Sequence, residues 1–370
     1  MAVPRTRRRM LTGARSTLLM VGFGGYAVAL VLAFRRWDLP SFTARALAFL
    51  VLALLFELLG KLMFAALFRW ELGSVSHLVS WKGAISAAFA GSAVARLIPA
   101  GGALTPATMA WSVRDEENDA AGAAVRATLL TYAGLLIITG LGLVWMATEG
   151  PHPVVFAGAV ILGGLLLVAG FVVMAGAAWL DRVVVRLPRR LANYLGPTAG
   201  GGRVTPVEAV LVAVRVLAES AVLWSALAAF GIFLTPSEVF VAHGLSMLVG
   251  GLPGLPGGLG IVEGGLIGIL SLYGLSAGVI VAPVLVYRVV DYWIPAGVGL
   301  AAFGVISRSI FDRQAATDRS PTANEPSAPT GGNLDASPLS GPRVPRRPGD
   351  PGVADLDEDG TRRDRSRAGT

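Results

Sequence analysis

Eight ionisable side chains sit inside or beside otherwise apolar runs of this chain: Glu57, Lys61, Arg96, Arg215, Glu219, Glu263, Arg288 and Asp291. Four are acidic and four basic, so the set is neutral as a whole. A lone charge at mid-bilayer costs about 2.5–3.5 kcal/mol on insertion scales, so such residues pair with one another or line a wet cavity. Both readings apply here. Glu57 and Lys61, like Arg215 and Glu219, are four residues apart, and Arg288 and Asp291 are three apart. These are helix-neighbour spacings, suited to structural ion pairs. Arg96 and Glu263 have no such local partner and lie beside Pro/Gly breaks, so a functional role is expected of them. The guanidinium groups of Arg96, Arg215 and Arg288 suit a phosphate. Glu263, with Asp291 or Glu219, suits a cationic moiety, or pairs with the arginines when no ligand is bound.

Other chemistries are thin. The chain has no Cys, which excludes disulfides, thiolate metal sites and Cys nucleophiles. Its three His (His77, His152, His243) share no metal-ligand spacing, so neither a metal nor a cofactor is expected. The run Gly257-Gly258-Leu259-Gly260 lacks the Lys-Ser/Thr ending of a nucleotide loop. No nucleophile with an adjacent base stands out, and although Glu263 could serve as a base, a lone carboxylate does not make a catalytic constellation, so the chain is not expected to be an enzyme. No basic patch is interleaved with aromatics, and no nucleic-acid partner is expected.

The elements that hold these charges are membrane elements. Of 370 residues, 54% are hydrophobic and only 15% charged, with a mean hydropathy of +0.64. Soluble domains carry about 25% charged residues. The excess of apolar residues reads as an all-α polytopic membrane protein. Apolar segments long enough to cross about 30 Å of hydrocarbon recur at 17–34, 44–68, 125–147, 154–180, 206–233 and 278–306, giving six spans. Two further regions are interrupted. Residues 83–98 meet Pro99-Ala100-Gly101-Gly102 before 103–113, and 239–250 meet a run from Gly251 to Gly258 before 259–273. Each arm is too short to span. Consecutive Gly and Pro leave little helix at the break, so each region reads as a re-entrant hairpin, with one long kinked helix as the alternative.

With the N-terminus inside, sixteen Lys and Arg fall on the cytoplasmic side, against Arg35, Arg36 and Arg45 outside. That asymmetry places both termini in the cytoplasm of an inner-membrane protein. The halves then match as an inverted repeat about Pro99 and Pro256. Each half has a charged spanning helix before its break, Glu57/Lys61 or Arg215/Glu219, with the sign order swapped. Broken helices in inverted repeats characterise secondary transporters. The expected organisation is a basic N-terminus (1–16), a membrane domain (17–306) and a polar tail (307–370). The tail has ten Arg and ten acidic residues and too few apolar ones to bury a core, so it is expected to be disordered.

The most distinctive stretch is Pro256-Gly257-Gly258-Leu259-Gly260-Ile261-Val262-Glu263-Gly264. Glycines there permit close approach of backbone or ligand, and the helix that follows offers free N–H groups to an anion. Tight packing through small residues is the plainer reading. The stretch resembles the glycine-rich motif of the lysylphosphatidylglycerol synthase transmembrane-region, or flippase-like, family. Arg288 with Asp291-Tyr292-Trp293-Ile294-Pro295 resembles the family's Arg-x-x-x-Tyr-Trp-x-Pro stretch, and Ile98-Pro99-Ala100-Gly101-Gly102 its first-half element. The resemblance covers the membrane core. It implies movement of a phospholipid or lipid-linked amphiphile between leaflets, with membrane lipids bearing an anionic or phosphate headgroup as partners. The aminoacyl-transfer domain of the family's synthases has no counterpart in the 60-odd tail residues, so that activity is not expected. The competing expectation is a non-catalytic scaffold for a lipid- or glycan-modifying enzyme. A homo-oligomer or an envelope-synthesis partner is compatible with either.

Overall fold

The computed structural model describes residues 28, 31, 43–73, 79–98, 101–114, 120–149, 153–184, 203–251 and 256–304. The expected first span and the tail therefore lie outside the described residues, apart from Val28 and Val31. Every described element is helical: α1 (Ala44–Gly73), α2 (Trp81–Leu97), α3 (Gly101–Ser112), α4 (Ala120–Glu149), α5 (Pro153–Val184), α6 (Pro206–Ala228), α7 (Pro236–Gly250) and α8 (Ile261–Leu272). The last, α9, runs from Ala277 to Gly304 and contains a π turn at Val289–Trp293. Among the described residues, five helices are long and apolar enough to cross a membrane: α1, α4, residues Ala157–Ala177 of α5, α6 and α9. This is an all-α polytopic membrane protein. Ile161, Leu165, Val168 and Val172 form an exposed apolar stripe along α5, a surface suited to lipid.

Helix starts are written locally. Thr205 and Glu208 form a capping box with Pro206 in the first turn of α6. Thr235, Pro236 and Glu238 repeat that arrangement at α7. The second box explains a boundary that the apolar pattern misses. The pattern runs on to Phe233, but α6 stops at Ala228, the chain turns at Gly231 with φ of 80°, and α7 begins at Pro236.

Both interrupted regions fold back on themselves rather than continuing as one kinked helix. In the first, the Thr105 hydroxyl donates to the Gly91 carbonyl at 3.4 Å, and an ideal Cβ on Gly101 would lie 2.0 Å from the Val94 oxygen. In the second, Gly250 abuts Val262, Gly265 abuts Ser246, and the Tyr273 hydroxyl donates to the Glu238 carbonyl at 3.2 Å. These contacts pair early residues of one arm with late residues of the other. The arms hold 17 and 12 residues in α2 and α3, and 15 and 12 in α7 and α8. At about 1.5 Å per residue all four fall short of a hydrocarbon core of about 30 Å.

The same packing pairs occur twice. Helix α1 contacts α2 and α4, as α6 contacts α7 and α9; α3 packs on α4, as α8 packs on α9. Helix α4 lies along α7, while Gly299 of α9 sits against the Phe89 carbonyl of α2. The pair α1–α6 joins the two sets, with Gly60 letting Glu219 and the Arg215 backbone come close. Helix α5 stands outside this duplication. It packs on α4 through Gly140, Gly163 and Gly170, a small-residue seam that brings the two backbones together.

Candidate functional site

The tips of the two hairpins meet. Pro256–Gly258 forms a single 3-10 turn, with Gly257 and Gly258 at φ of 54° and 67°. That left-handed backbone favours glycine. At Gly257 space demands it too, since a Cβ would lie 2.3 Å from the Tyr292 ring and 2.9 Å from the Arg96 backbone. The Tyr292 hydroxyl reaches the Arg96 carbonyl on one tip and the Pro256 carbonyl on the other.

Helix α9 supplies the geometry for this junction. Pro295 has no N–H to offer the carbonyl of Asp291 four residues earlier. The helix widens into its π turn there, and the Asp291 carbonyl instead accepts from Arg96 Nε at 3.0 Å and Nη2 at 2.7 Å. A proline and a π turn in α9 thus create the acceptor that holds the tip of α2.

The eight charges singled out above form one continuous string of alternating sign. Arg215 pairs with Glu219 at 3.0 Å, Glu219 with Lys61 at 3.8 Å, and Lys61 with Glu57 at 2.8 Å. Glu57 approaches Arg96 at 4.0 Å, and Arg96 approaches the Asp291 carboxylate at 3.4 Å. Asp291 pairs with Arg288 at 3.1 Å, and Arg288 with Glu263 at 2.8 Å. Arg96 and Glu263, which lack local partners in the sequence, gain distant ones in the fold. The second oxygen of Glu263 accepts from the Gly260 N–H at 2.7 Å. The start of α8, expected to offer free N–H groups to an anion, thus has one of them taken by its own carboxylate.

Beside the string lies a partly open cavity of about 220 Å³. Lys61, Arg96, Arg215, Glu219, Arg288 and Asp291 line it, as do Gly101, Gly102 and Gly257. Of the remaining residues singled out, Pro256, Gly258 and Gly260 shape the adjoining turn without lining the cavity, and Gly264 has open space beside its Cα. Pro99 lies outside the described residues.

The chain matches the model of the family described as lysylphosphatidylglycerol synthase TM region over residues 17–299. It belongs to that family. It is also 35% identical, over 80 residues, to a UPF0104 membrane protein of Methanothermobacter thermautotrophicus, a match covering 22% of this chain and 23% of that relative. Two of the stretches that carry the resemblance, 256–264 and 288–297, are in contact. Arg288 donates to the Gly257 carbonyl at 3.1 Å while pairing with Glu263, and Tyr292 packs on Gly257.

Two features escape the sequence reading. His243 lines the cavity from α7 and is 2% exposed. Its Nδ1 lies 3.2 Å from the Tyr287 hydroxyl, and its Nε2 has no partner among the described residues. A signal was present, because His243, Met247, Gly250 and Gly251 line the cavity at helical spacing. The second feature is a separate ion cluster away from the cavity. Arg126, 1% exposed, pairs with Glu71 at 3.0 Å and Glu208 at 3.1 Å, and donates to the carbonyls of Ala177 and Arg203. It ties α1, α4, α5 and α6 together. These residues fall at the ends of apolar runs, where a charge reads as an ordinary cytoplasmic edge.

Proposed function

We propose that this chain moves a phospholipid or a related lipid-linked amphiphile between the leaflets of the cytoplasmic membrane, with both termini on the cytoplasmic side. One observation carries the reading: a charged cavity lies where two short helical hairpins meet, inside a bundle whose outer faces are apolar. A polar headgroup crossing hydrocarbon needs such a chamber, while its acyl chains can remain in lipid. At about 220 Å³ the cavity is smaller than the roughly 300–1,000 Å³ pockets that enclose drug-sized ligands, which fits a headgroup and not a whole lipid. The duplicated packing supports alternating exposure of the cavity, as one set of helices rocks against the other. The role is transport without catalysis, and the partners are membrane lipids.

The test is leaflet exchange in liposomes. The purified chain is reconstituted with fluorescent phosphatidylglycerol or phosphatidylcholine beside Arg96→Ala and Glu263→Gln. Exchange faster than in protein-free vesicles, and lost in both variants, is the expected result. Rates equal to protein-free vesicles for every lipid tested would count against transport and favour a scaffold whose buried charges hold the fold together.

A further inference from the structure

Four cations line the cavity, but they are not equally free to meet a ligand. Arg288 is spent: Nε donates to Glu263, Nη1 to Asp291 and Nη2 to the Gly257 carbonyl. Arg96 has its Nε and Nη2 on the Asp291 carbonyl and its Nη1 on the Ser92 carbonyl. Lys61 is held by Glu57 and Glu219. Arg215 differs. Among the described residues only its Nη2 is paired, with Glu219, while Nε and Nη1 have no hydrogen-bond partner although the residue is just 9% exposed. The Phe64 ring, 3.9 Å from Cζ, supports its flat face, and Phe64 also lines the cavity. Buried donors left unpaired are costly, so an orphaned guanidinium beside open space marks a place for an acceptor. His243 supplies a second such group, nearly fully buried on the same cavity, with Nε2 unpartnered. In the tautomer where the Tyr287 hydroxyl donates to Nδ1, the imidazole hydrogen lies on Nε2.

The geometry points to a binding subsite for a phosphate-class oxyanion at Arg215 and His243, on the α6–α7 wall of the cavity, and not at Arg96 or Arg288. Arg96 and Arg288 are positioning residues that hold the hairpin tips. The lining as a whole favours an anion, with four cationic side chains against two carboxylates. A guanidinium meets phosphate oxygens with charge-assisted hydrogen bonds, and the imidazole N–H adds one more. The lipid origin of that oxyanion rests on the transport reading; the subsite itself does not.

The experiment measures binding separately from transport. The full chain, in dodecyl maltoside, which carries no phosphate, is titrated by calorimetry with inorganic phosphate, glycerophosphoglycerol and dihexanoyl phosphatidylglycerol. The wild type is expected to bind at least one of these. Arg215→Gln should weaken that binding about tenfold or more, His243→Gln should weaken it by less, and Arg215→Lys should restore part of it. Binding of the soluble phosphates marks a phosphate site, and binding of the lipid alone marks a lipid-headgroup site. Dependence on Arg215 supports the proposal in both cases. Should Arg215→Gln not fold, the charge-balanced Arg215→Gln/Glu219→Gln variant takes its place. Equal affinity in the Arg215 variants and the wild type, or no binding of any probe to the wild type, would overturn the assignment. Binding that depends on Arg215 in a protein that exchanges no lipid keeps the subsite and removes the transporter. Exchange at wild-type rate in Arg215→Gln, together with unchanged binding, keeps the transporter and removes the subsite.

Discussion

The two buried ion clusters contain similar residues and end in opposite states. At Arg126 every guanidinium nitrogen has an acceptor, both carboxylates are held, and none of the three side chains lines the cavity. Along the string from Arg215 to Glu263 the spacing is looser, up to 4.0 Å, and open space runs beside it. The contrast separates two uses of buried charge. A cluster whose donors are all satisfied locks helices together. One that keeps unspent donors facing a cavity can exchange a protein partner for a ligand.

The largest effect is expected from Arg126→Leu. It strands Glu71 and Glu208 without their cation, and losing one partner of a buried pair costs about 3–5 kcal/mol. Thermal unfolding in detergent should show a large drop in midpoint or no folded protein at all. A melt close to wild type would mean that the cluster clamps nothing. Gly257→Ala comes next. A left-handed residue with a Cβ costs about 1–2 kcal/mol before any clash with Tyr292 and Arg96 is counted. The helices should remain, while cross-linking between Cys residues placed on the two tips should fall. Unchanged cross-linking would show that the tips do not need this contact. The smallest stability effect belongs to Arg215→Gln, because it ends one ion pair but also removes two unpaired buried donors, and it leaves Glu219 with Lys61. A melt as damaged as that of Arg126→Leu would erase the distinction between the clusters.

How much of this was legible depends on the distance over which the cause acts. Span positions follow from local apolarity, and the hairpins follow from consecutive Gly and Pro, because both causes act within a few residues. The family resemblance rested on short runs that the fold brings into contact, and the match over residues 17–299 agrees with it. That Glu263 pairs with an arginine was legible, but the choice of Arg288 and the backbone partner of Arg96 were not. Asp291 lies 195 residues beyond Arg96, and the carbonyl it offers exists because Pro295 cannot use it. His243 was passed over as a lone histidine without metal spacing, although its helical neighbours on the cavity wall pointed the same way. The Arg126 cluster was missed because a charge at the end of a span looks solvated until the neighbouring helix ends are in place.

The string also has an electrical consequence. With every member ionised, its four cations and four anions cancel, and both interleave along one path. Moving that path as a unit through a transmembrane field would carry no gating charge. A zwitterionic cargo would then cross without regard to voltage. A singly charged anionic one would be drawn toward the positive face by about 2.3 kcal/mol per 100 mV. The voltage dependence of leaflet exchange would therefore read out the charge of the cargo rather than that of the carrier.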